Sequence, residues 1–515
     1  MKAIRYMLLL LCVSFVGCNK LIDLYPQSNL NATTYYSNTT EVSSALTGCY
    51  SGMQKTLLQE WTMTELRSDN TVQGNAASTS SVNRDLSDLD MFFPSTSHAG
   101  NYTYWLANYY NIRSTNLVLN SLGVNYNEST GAITYDAFQA TVPDLNRKRM
   151  SAEASFIRAY HYFNLVRLYG SVFLVHEAID PNFAKTVNKS SVDAIYKLII
   201  ADLQNAAANG ATAKFVAIPA ADLGRVNAWS AKGLLAKVYL TLNRKTEAAA
   251  LLQDVIANSG YSLQAAYANN FSITTEMNSE ILFAVRYKAG GLGLGSIFAN
   301  QFAPLNSGSA VVNGDGLGNN YPTVELNNLY TATDARKAVN IGVYGTGTAA
   351  KLYPRKHISA VAVVNDSESD WTVLRYADIL LMLAEAQGNI PASLDLINQI
   401  RKRAGLANLV ATDVNTIDKF ELALANERRL EFAFENQRWF DLLRFNTTLT
   451  TIKTEKILKD HFAIMYPLHY VQYPVPRLTL TEMQNFVTAD RLLLPIPQRE
   501  IDNNTQLKIE QNIGY

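Results

Sequence analysis

The chain has 515 residues and carries 44 basic and 44 acidic side chains. This balance argues against nucleic acid as a partner, because nucleic-acid-binding proteins present a strongly basic surface. The three cysteines are Cys12, Cys18 and Cys49. Cys12 lies inside an N-terminal export signal and Cys18 at its cleavage boundary, so we expect no disulfide framework and an ordinary packed core, in which Cys49 is a small buried side chain.

Residues 1–17 have the pattern of a secretory signal. Basic residues precede an apolar run over 7–16, and Gly17 stands directly before Cys18. The run has about half the length that a membrane-spanning helix needs. A cysteine at the cleavage boundary predicts a lipoprotein signal peptide over 1–17 with lipidation of Cys18, and plain secretion is the alternative.

Beyond the signal, the hydrophobic pattern predicts pairs of amphipathic helices. In the segment 228–260, apolar and small residues fall on one face of each of two helices, Asn227 is a candidate N-cap and Gly260 is a candidate stop. The length of this unit matches a tetratricopeptide repeat of about 34 residues. Similar pairs are predicted near 40–122, 151–209 and 372–405. Such pairs bury their apolar faces only by stacking, so we expect a mainly α fold with a tetratricopeptide-like scaffold of about four pairs.

Two long segments of different composition interrupt the helix pairs. Residues 69–100 are rich in Ser, Thr, Asn and Asp, and residues 290–320 are rich in Gly. Long irregular segments inside a compact chain are usually functional or disordered. We therefore expect both segments to cover one side of the helical scaffold and to form a ligand-binding face.

Several short motifs follow one another along the chain. They are CNKLIDLYPQ at 18–27, LRYADILLMLAEA at 374–386, INQIRKRAG at 397–405, ERRLEFAFENQRWFDLLR at 427–444, LPIPQREI at 494–501 and QNIGY at 511–515. Together, behind a lipoprotein signal, they resemble the SusD/RagB family of outer-membrane nutrient-binding lipoproteins over nearly the whole chain.

This resemblance implies a single domain over 18–515, with a C-terminal region of the RagB and SusD type over 280–515. It implies a lipoprotein that is anchored in the outer membrane through Cys18 and faces the exterior. Such proteins capture oligosaccharides, or in some members peptides, and pass them to a SusC-like, TonB-dependent transporter. They bind without catalysis, and the resemblance implies no cofactor.

The charged segment 427–444 is a candidate active site as well as a candidate structural cluster. Oppositely charged residues three positions apart are neighbours on a helix. The pairs with this spacing are Arg428–Glu431, Glu435–Arg438 and Asp441–Arg444. We interpret the segment as a structural ion-pair network and not as a site of acid–base chemistry.

Other functions are weighed by the motifs that they require. The signatures of zinc proteases, serine hydrolases and phosphate-binding loops do not occur. A glycosidase needs only two carboxylates without fixed spacing, so Asp85, Asp88 and Asp90 keep that alternative open. A tetratricopeptide-type scaffold that binds another protein is the other alternative. The Asn-, Asp- and Gly-rich run at 313–319 lacks the distal glutamate of an EF-hand loop, so we predict a turn and no metal site.

The ligand site is expected to use aromatic side chains outside the helix pairs. Sugar rings stack on aromatic faces, while amides, carboxylates and guanidinium groups satisfy the hydroxyls. The candidates are Asn75, Asp90, Phe92, Phe93 and Tyr102 in or beside the first irregular segment, Phe298, Asn320 and Tyr321 in or beside the second, and also Trp61 and Trp371. Trp105, Trp229 and Trp439 fall on helical patterns and are predicted to belong to the core.

Overall fold

The computed structural model describes residues 35–138, 140–474, 477–504 and 506–515. The predicted signal peptide and Cys18 lie outside the described residues. The described helices are α1 (Thr39–Thr64), α2 (Ser81–Asp90), α3 (Ala99–Ser121), α4 (Asp144–Tyr169), α5 (Pro181–Ala184), α6 (Val192–Asn209), α7 (Ala228–Thr241), α8 (Lys245–Asn258), α9 (Phe298–Phe302), α10 (Val324–Leu329), α11 (Lys337–Asn340), α12 (Tyr376–Gln387), α13 (Pro391–Arg403), α14 (Ile417–Glu431), α15 (Arg438–Thr448), α16 (Thr454–Met465), α17 (Leu480–Phe486) and α18 (Gln498–Asp502).

The described strands form two-stranded antiparallel sheets, and short 3-10 turns occur between several elements. The strands are β1 (Thr71–Val72), β2 (Val124–Asn127), β3 (Ala132–Tyr135), β4 (Ile281–Val285), β5 (Tyr321–Pro322), β6 (Ile341–Tyr344), β7 (Lys351–Pro354) and β8 (Trp371–Arg375). The pairs are β1 with β5, β2 with β3, β4 with β8 and β6 with β7.

The long helices stack in chain order as a continuous scaffold of pairs. The pairs are α1 with α3, α4 with α6, α7 with α8 and α12 with α13, and α3 with α4, α6 with α7 and α8 with α12 form the contacts between pairs. This architecture confirms the predicted mainly helical, tetratricopeptide-like fold. Helix α4 is buried on nearly all sides, as expected of a helix enclosed by neighbours. The predicted cap Asn227 begins α7 with a capping box that includes Ser230.

The segment before α12 differs from the prediction that a helix pair begins near residue 372. Residues Trp371–Arg375 form β8, which pairs with β4, and the helix begins at Tyr376. The run Trp371-Thr372-Val373 consists of aromatic and β-branched residues, which favour a strand over a helix. The motif therefore combines the end of a buried strand with the start of a helix.

The segment 427–444 is also interrupted. Helix α14 ends at Glu431 and α15 begins at Arg438, with Phe434 (φ 64°) and Asn436 (φ 58°) in the left-handed region between them. The charged residues of this segment therefore lie on two helices and a turn, so spacing along a single continuous helix is not sufficient to give their partners.

The two irregular segments meet on the same side of the scaffold. Strand β1 lies at the start of the first and β5 directly after the second, and Thr71 pairs with Pro322 and Val72 with Tyr321. A Cβ atom on Gly74 would lie 2.1 Å from the carbonyl oxygen of Gly318, so only glycine permits this approach. The first segment also contains a helix, α2, that the composition did not predict.

The main core lies between the stacked helices. Trp105, Trp229 and Trp439 are buried in it, as predicted, and so is the candidate Trp61. Cys49 is also buried, and burial raises the pKa of its thiol to about 12, which agrees with a structural role and not with a nucleophile. Among the described helices, not one combines the length and apolarity needed to cross a bilayer.

Candidate ligand-binding cleft

A cleft of about 330 Å³ opens where the first irregular segment meets the C-terminal part of the chain. We call it the Phe93 cleft. It is lined by Ser78, Thr79, Arg84, Ser87, Asp88, Met91, Phe93, Ser95, Tyr473, Pro474 and Leu478. The wall thus combines apolar and aromatic surface with hydroxyls and both signs of charge, the mixture that small-molecule sites use to hold and orient a ligand.

Two adjacent phenylalanines at the end of α2 differ in burial, although both were equal candidates for the ligand site from the sequence. Phe92 has a left-handed backbone (φ 63°), is 1% exposed and packs against Trp439 at 5.8 Å between ring centroids. Phe93, one residue on, is 41% exposed and lines the cleft. The expectation that Phe92 contacts a ligand is therefore corrected, because its ring anchors the turn that presents Phe93.

The ring of Phe93 packs against a half-buried ring near the protein surface and not against the core. Its ring stacks on Phe486 of α17, with centroids 4.7 Å apart and 28° between the planes. The guanidinium of Arg491 lies 4.7 Å from the Phe486 ring. This support orients the ring of Phe93 while leaving part of it accessible to a ligand.

Asp88 and Arg84 lie one helical turn apart on α2 and add charge to the cleft wall. Burial raises the pKa of the Asp88 carboxyl to about 6, and the neighbouring guanidinium of Arg84 opposes this shift. His98 joins α2 to the start of α3, because its Nδ1 accepts the Asn101 N–H at 3.0 Å and its Nε2 donates to the Asp85 carbonyl at 2.8 Å. The loop that carries Phe93 is therefore fixed at both ends.

Asp90 supports the cleft and does not line it. Its buried carboxylate accepts hydrogen bonds from the phenols of Tyr473 and Tyr470, and from the Gln73 N–H at 2.8 Å. Burial, with the charge of Asp90, raises the pKa of both phenols well above the usual value for tyrosine. The expectation of direct ligand contact by Asp90 is corrected, since this carboxylate is used to position Tyr473.

The structure also buries most of the candidates near the second irregular segment. Trp371 is 2% exposed and stacks on His357, 4.5 Å away, and Phe298 lies 4.5 Å from Trp371. Asn320 is fully buried, and its side-chain amide has no hydrogen-bond partner among the described residues. These positions correct the expectation that Phe298, Asn320 and Trp371 face a ligand, because all of them lie in the packed interior.

The remaining candidates, Asn75, Tyr102 and Tyr321, are half-buried. Tyr321 is wedged between Gly74 and Gly318, and its phenol oxygen accepts the Leu305 N–H at 3.0 Å, which indicates a structural role. Asn75 begins the turn that leads to the cleft, since its carbonyl accepts the Ser78 N–H at 3.0 Å. Tyr102 lies on α3, 5.0 Å from the guanidinium of Arg499. None of the three is among the lining residues of the Phe93 cleft.

Sequence reasoning missed the C-terminal wall of the cleft and much of its polar lining. Tyr473, Pro474 and Leu478 come from a segment far along the chain, and only tertiary contact brings them to α2. The prolines beside Tyr473 indicate an irregular connection, but they do not indicate what it contacts. Asp88 was named only for the glycosidase alternative, because helix α2, which places it beside Arg84, was not predicted.

The charged segment 427–444 forms a buried network, as predicted, but mostly with other partners. Of the predicted pairs, Asp441–Arg444 is formed at 2.8 Å. Arg428 instead pairs with Asp441 at 2.8 Å, and Glu435 pairs with Arg375 at 2.9 Å. Arg428 and Glu431 lie on the same helix, but each is paired with residues of other elements, namely Asp441 and Asp378 for Arg428 and Arg375, Arg403 and Arg336 for Glu431. Glu435 lies in the turn before α15, so its predicted pair with Arg438 is replaced by the pair with Arg375. Each of these carboxylates is engaged by cations inside the protein, which supports a structural role.

The described residues contain no cluster of His, Cys, Asp and Glu suited to a metal ion. In the run at 313–319, the Asp315 carboxylate accepts the Gly316 N–H at 2.8 Å and the Gly308 N–H at 3.2 Å. These hydrogen bonds stabilise a turn, which is the structure predicted for this run.

Comparison with known proteins assigns the chain to a family. A model described as the SusD family matches residues 336–515, and a model described as starch-binding associating with outer membrane matches residues 20–240. The chain belongs to the SusD family. A SusD-like protein P2 of Formosa agariphila is 25% identical over the full length of both chains. A SusD-like protein of Bacteroides ovatus is 24% identical over 72% of this chain and 75% of its own.

Solved structures of SusD-like proteins share the fold of this SusD-family chain. A laminarin-binding SusD-like protein aligns with a TM-score of 0.73 at 24% identity, covering 93% of this chain and 100% of its own. Surface glycan-binding protein A of Bacteroides thetaiotaomicron, in complex with laminarihexaose, aligns with a TM-score of 0.72 at 19% identity, covering 92% and 100%. At these identities the likeness establishes the fold alone.

Proposed function

We propose that this SusD-family protein captures a glycan in the Phe93 cleft and passes it to a SusC-like transporter in the outer membrane. The observation that carries the proposal is the exposed, supported ring of Phe93 beside Asp88 and Arg84. An aromatic face packs against the C–H face of a sugar ring, and the charged groups form strong hydrogen bonds with its hydroxyls. The named ligands of the relatives, starch, laminarin and laminarihexaose, support a glycan as the ligand class.

The cleft is suited to binding without hydrolysis. A glycosidase places two carboxyl groups about 5–10 Å apart around the scissile bond. Among the lining residues, Asp88 is the one carboxylate, since Asp90 is held by tyrosines and Asp85 does not line the cleft. This composition supports a non-catalytic function for the protein.

The proposed location and partner follow from the family and the signal. One matching family model is described as associating with the outer membrane, and the sequence predicts a lipid on Cys18. A capture protein anchored there can retain a glycan at the surface and release it to a transporter beside it. We therefore assign this protein to the exterior face, with a SusC-like, TonB-dependent barrel as its partner.

Binding is tested with the chain from Asn19 onward, which omits the lipidation site. Calorimetry against a panel of polysaccharides, their oligosaccharides and short peptides is expected to show saturable binding of one glycan class. Binding of that glycan is expected to be at least about tenfold weaker in Phe93→Ala. It should be retained in Phe183→Ala, because the Phe183 ring is 56% exposed and does not line the cleft. Release of reducing sugar during the same incubations would contradict the non-catalytic assignment.

The partner is tested in the native outer membrane. Affinity purification of the lipidated full-length protein is expected to recover a TonB-dependent barrel in a stoichiometric complex. A complex with a different outer-membrane protein, or a protein that remains in the periplasm, would contradict the assignment. Binding of peptides without any glycan would favour the protein-binding scaffold instead.

A further inference from the structure

A second cleft lies on the helical scaffold and shares no lining residue with the Phe93 cleft. It has a volume of about 240 Å³ and is bounded by α3, α18 and the loop around α5. We call it the Trp105 cleft, after the indole in its wall. Helix α3, which carries Trp105, begins at Ala99, directly after the loop that carries Phe93, so the two clefts are connected by a short stretch of chain.

The wall of the Trp105 cleft is a preformed aromatic cluster. The Trp105 ring lies 5.1 Å from Tyr109 and 5.9 Å from Phe173, with a right angle between the indole and the Phe173 ring. The Tyr109 phenol donates to the carbonyl oxygen of Phe173 at 2.9 Å and so fixes both residues. Tyr109 and Phe173 are half-buried and give a ligand an ordered apolar surface.

The polar groups in this cleft can form further hydrogen bonds with a ligand. Asn504 is 9% exposed, and its Oδ1 has no hydrogen-bond partner among the described residues. Glu500 is half-buried beside it, and burial raises the pKa of its carboxyl, opposed by a hydrogen bond from Trp105. A buried acceptor without a partner is unfavourable, so a ligand that donates hydrogen bonds here would be stabilised. Lys185 on the rim supplies a donor.

We propose that the Trp105 cleft is a second binding site for one neutral sugar residue of the same glycan, an inference that rests on the proposed function. The lining carries one carboxylate and one ammonium group, so it has no formal net charge to favour a charged ligand, and a sugar can both donate hydrogen bonds to the carboxylate and accept them from the ammonium. The aromatic wall matches the C–H face of a pyranose ring. The volume is below the range of about 300–1,000 Å³ typical of drug-sized ligands, which favours a single ring.

Two sites on one chain have a measurable signature. A polysaccharide that spans both binds the second site at high effective concentration, whereas a short oligosaccharide occupies one site at a time. The probes are therefore laminarin and soluble starch as polymers, with laminarihexaose and maltohexaose as short ligands. Loss of the second site should weaken binding of the polymer and leave binding of the hexasaccharide in the Phe93 cleft unchanged.

The experiment compares wild type with Phe173→Ala/Glu500→Ala and with the milder Glu500→Ala, each checked for folding by its thermal unfolding midpoint. We expect the double variant to bind the polymer at least about tenfold more weakly, with the hexasaccharide within about twofold of wild type. Glu500→Ala leaves the aromatic wall intact and is expected to bind the polymer about threefold more weakly than wild type.

The outcomes separate this inference from the proposed function. Unchanged polymer binding in both Trp105-cleft variants overturns the second site, and a loss in Phe93→Ala in the same series upholds the first. Loss in the Trp105-cleft variants with no change in Phe93→Ala supports the Trp105 cleft and overturns the Phe93 cleft. Failure of folded wild-type protein to bind either polymer overturns the second site, while the wider ligand panel then decides the proposed function.

Discussion

The ring of Phe93 stacks on that of Phe486, with centroids 4.7 Å apart and an interplanar angle of 28°. The contact joins the loop after α2 to a short helix near the C-terminus. Because Phe486 supports the ring, Phe93 remains ordered although it is 41% exposed. An ordered, exposed aromatic side chain loses little conformational entropy when a ligand packs against it, which favours binding at this position.

Replacing Phe93 with alanine is expected to weaken glycan binding at least about tenfold, which corresponds to about 1.4 kcal/mol. The reason is the loss of the aromatic platform in the Phe93 cleft. Because the ring is partly exposed, the free energy of unfolding should change by less than about 1.5 kcal/mol. Calorimetric titration and denaturant unfolding measure the two effects.

The matched control is the neighbouring residue. Phe92→Ala removes a ring that is 1% exposed and should cost about 3–5 kcal/mol of unfolding free energy, as large truncations in a core do. Equal losses of stability in the two variants would contradict the assignment of Phe93 to the cleft and Phe92 to the core.

Binding is expected to strengthen as pH rises through about 6. Burial raises the pKa of Asp88 to about 6, so the carboxyl is largely protonated at pH 5 and ionised at pH 7.5. Sugar hydroxyls that donate to the ionised form stabilise it, so the bound state releases a proton and affinity rises with pH. The expected gain between these two pH values is about 3- to 10-fold.

Asp88→Asn should remove this pH dependence, because the amide does not titrate. Asp85→Asn is the control, since Asp85 lies on the same helix and does not line the cleft. Titrations at several pH values between 5 and 8 decide the matter. An unchanged pH profile in Asp88→Asn would contradict the role of Asp88.

The sequence was sufficient for the scaffold and insufficient for the site. Helix pairs can be predicted from local sequence, through the spacing of apolar residues and caps such as Asn227. The packing of the helices against one another follows from the faces that they bury. The cleft depends on features without a local signal. Phe92 and Phe93 have the same chemistry, and one left-handed backbone decides which of them is exposed.

Trp371 and Tyr473 show the same limit in another way. A tryptophan before a helix is equally consistent with a ligand platform and with core, and only the pairing of β8 with β4 places Trp371 inside. Tyr473 reaches α2 from far along the chain, and no periodicity links the two. Long-range contacts of this kind are therefore what the structure adds to the sequence.

The buried ion-pair network is expected to contribute to stability and not to binding. Arg375 is 1% exposed and donates to Glu435 at 2.9 Å and to Glu280 at 2.9 Å. Arg375→Ala removes the guanidinium that these buried carboxylates share and leaves Glu435 with Lys356 and Glu280 with Arg403 alone, which should cost about 3–5 kcal/mol of unfolding free energy. Denaturant titration measures the loss, and glycan affinity of the folded fraction should be unchanged.

An exposed pair provides the control for the network. Lys456 and Asp460 lie 2.6 Å apart on α16 with both side chains largely exposed, so Lys456→Ala should change stability by less than about 1 kcal/mol. If Arg375→Ala were as mild as Lys456→Ala, the network would not be structural, and its charged residues would need another explanation.

Asp90 and Tyr473 are expected to act as one unit that shapes the cleft from inside the protein. Asp90→Asn keeps the size of the side chain but removes an acceptor from the phenols of Tyr470 and Tyr473, and should cost about 1–3 kcal/mol of unfolding free energy. Tyr473→Phe removes the hydroxyl that donates to Asp90 and keeps the ring in the cleft wall. Both variants should weaken glycan binding, since Tyr473 is then less firmly held.

The double variant distinguishes a coupled pair from two independent losses. Residues that share a hydrogen bond show coupling energies of about 0.5–3 kcal/mol, so the combined loss of stability should be smaller than the sum of the single losses. Additive losses in the denaturant cycle would show that Asp90 acts mainly through Tyr470 and Gln73. In that case Tyr473 would be placed in the cleft by packing alone, and Tyr473→Phe would leave glycan affinity at its wild-type value.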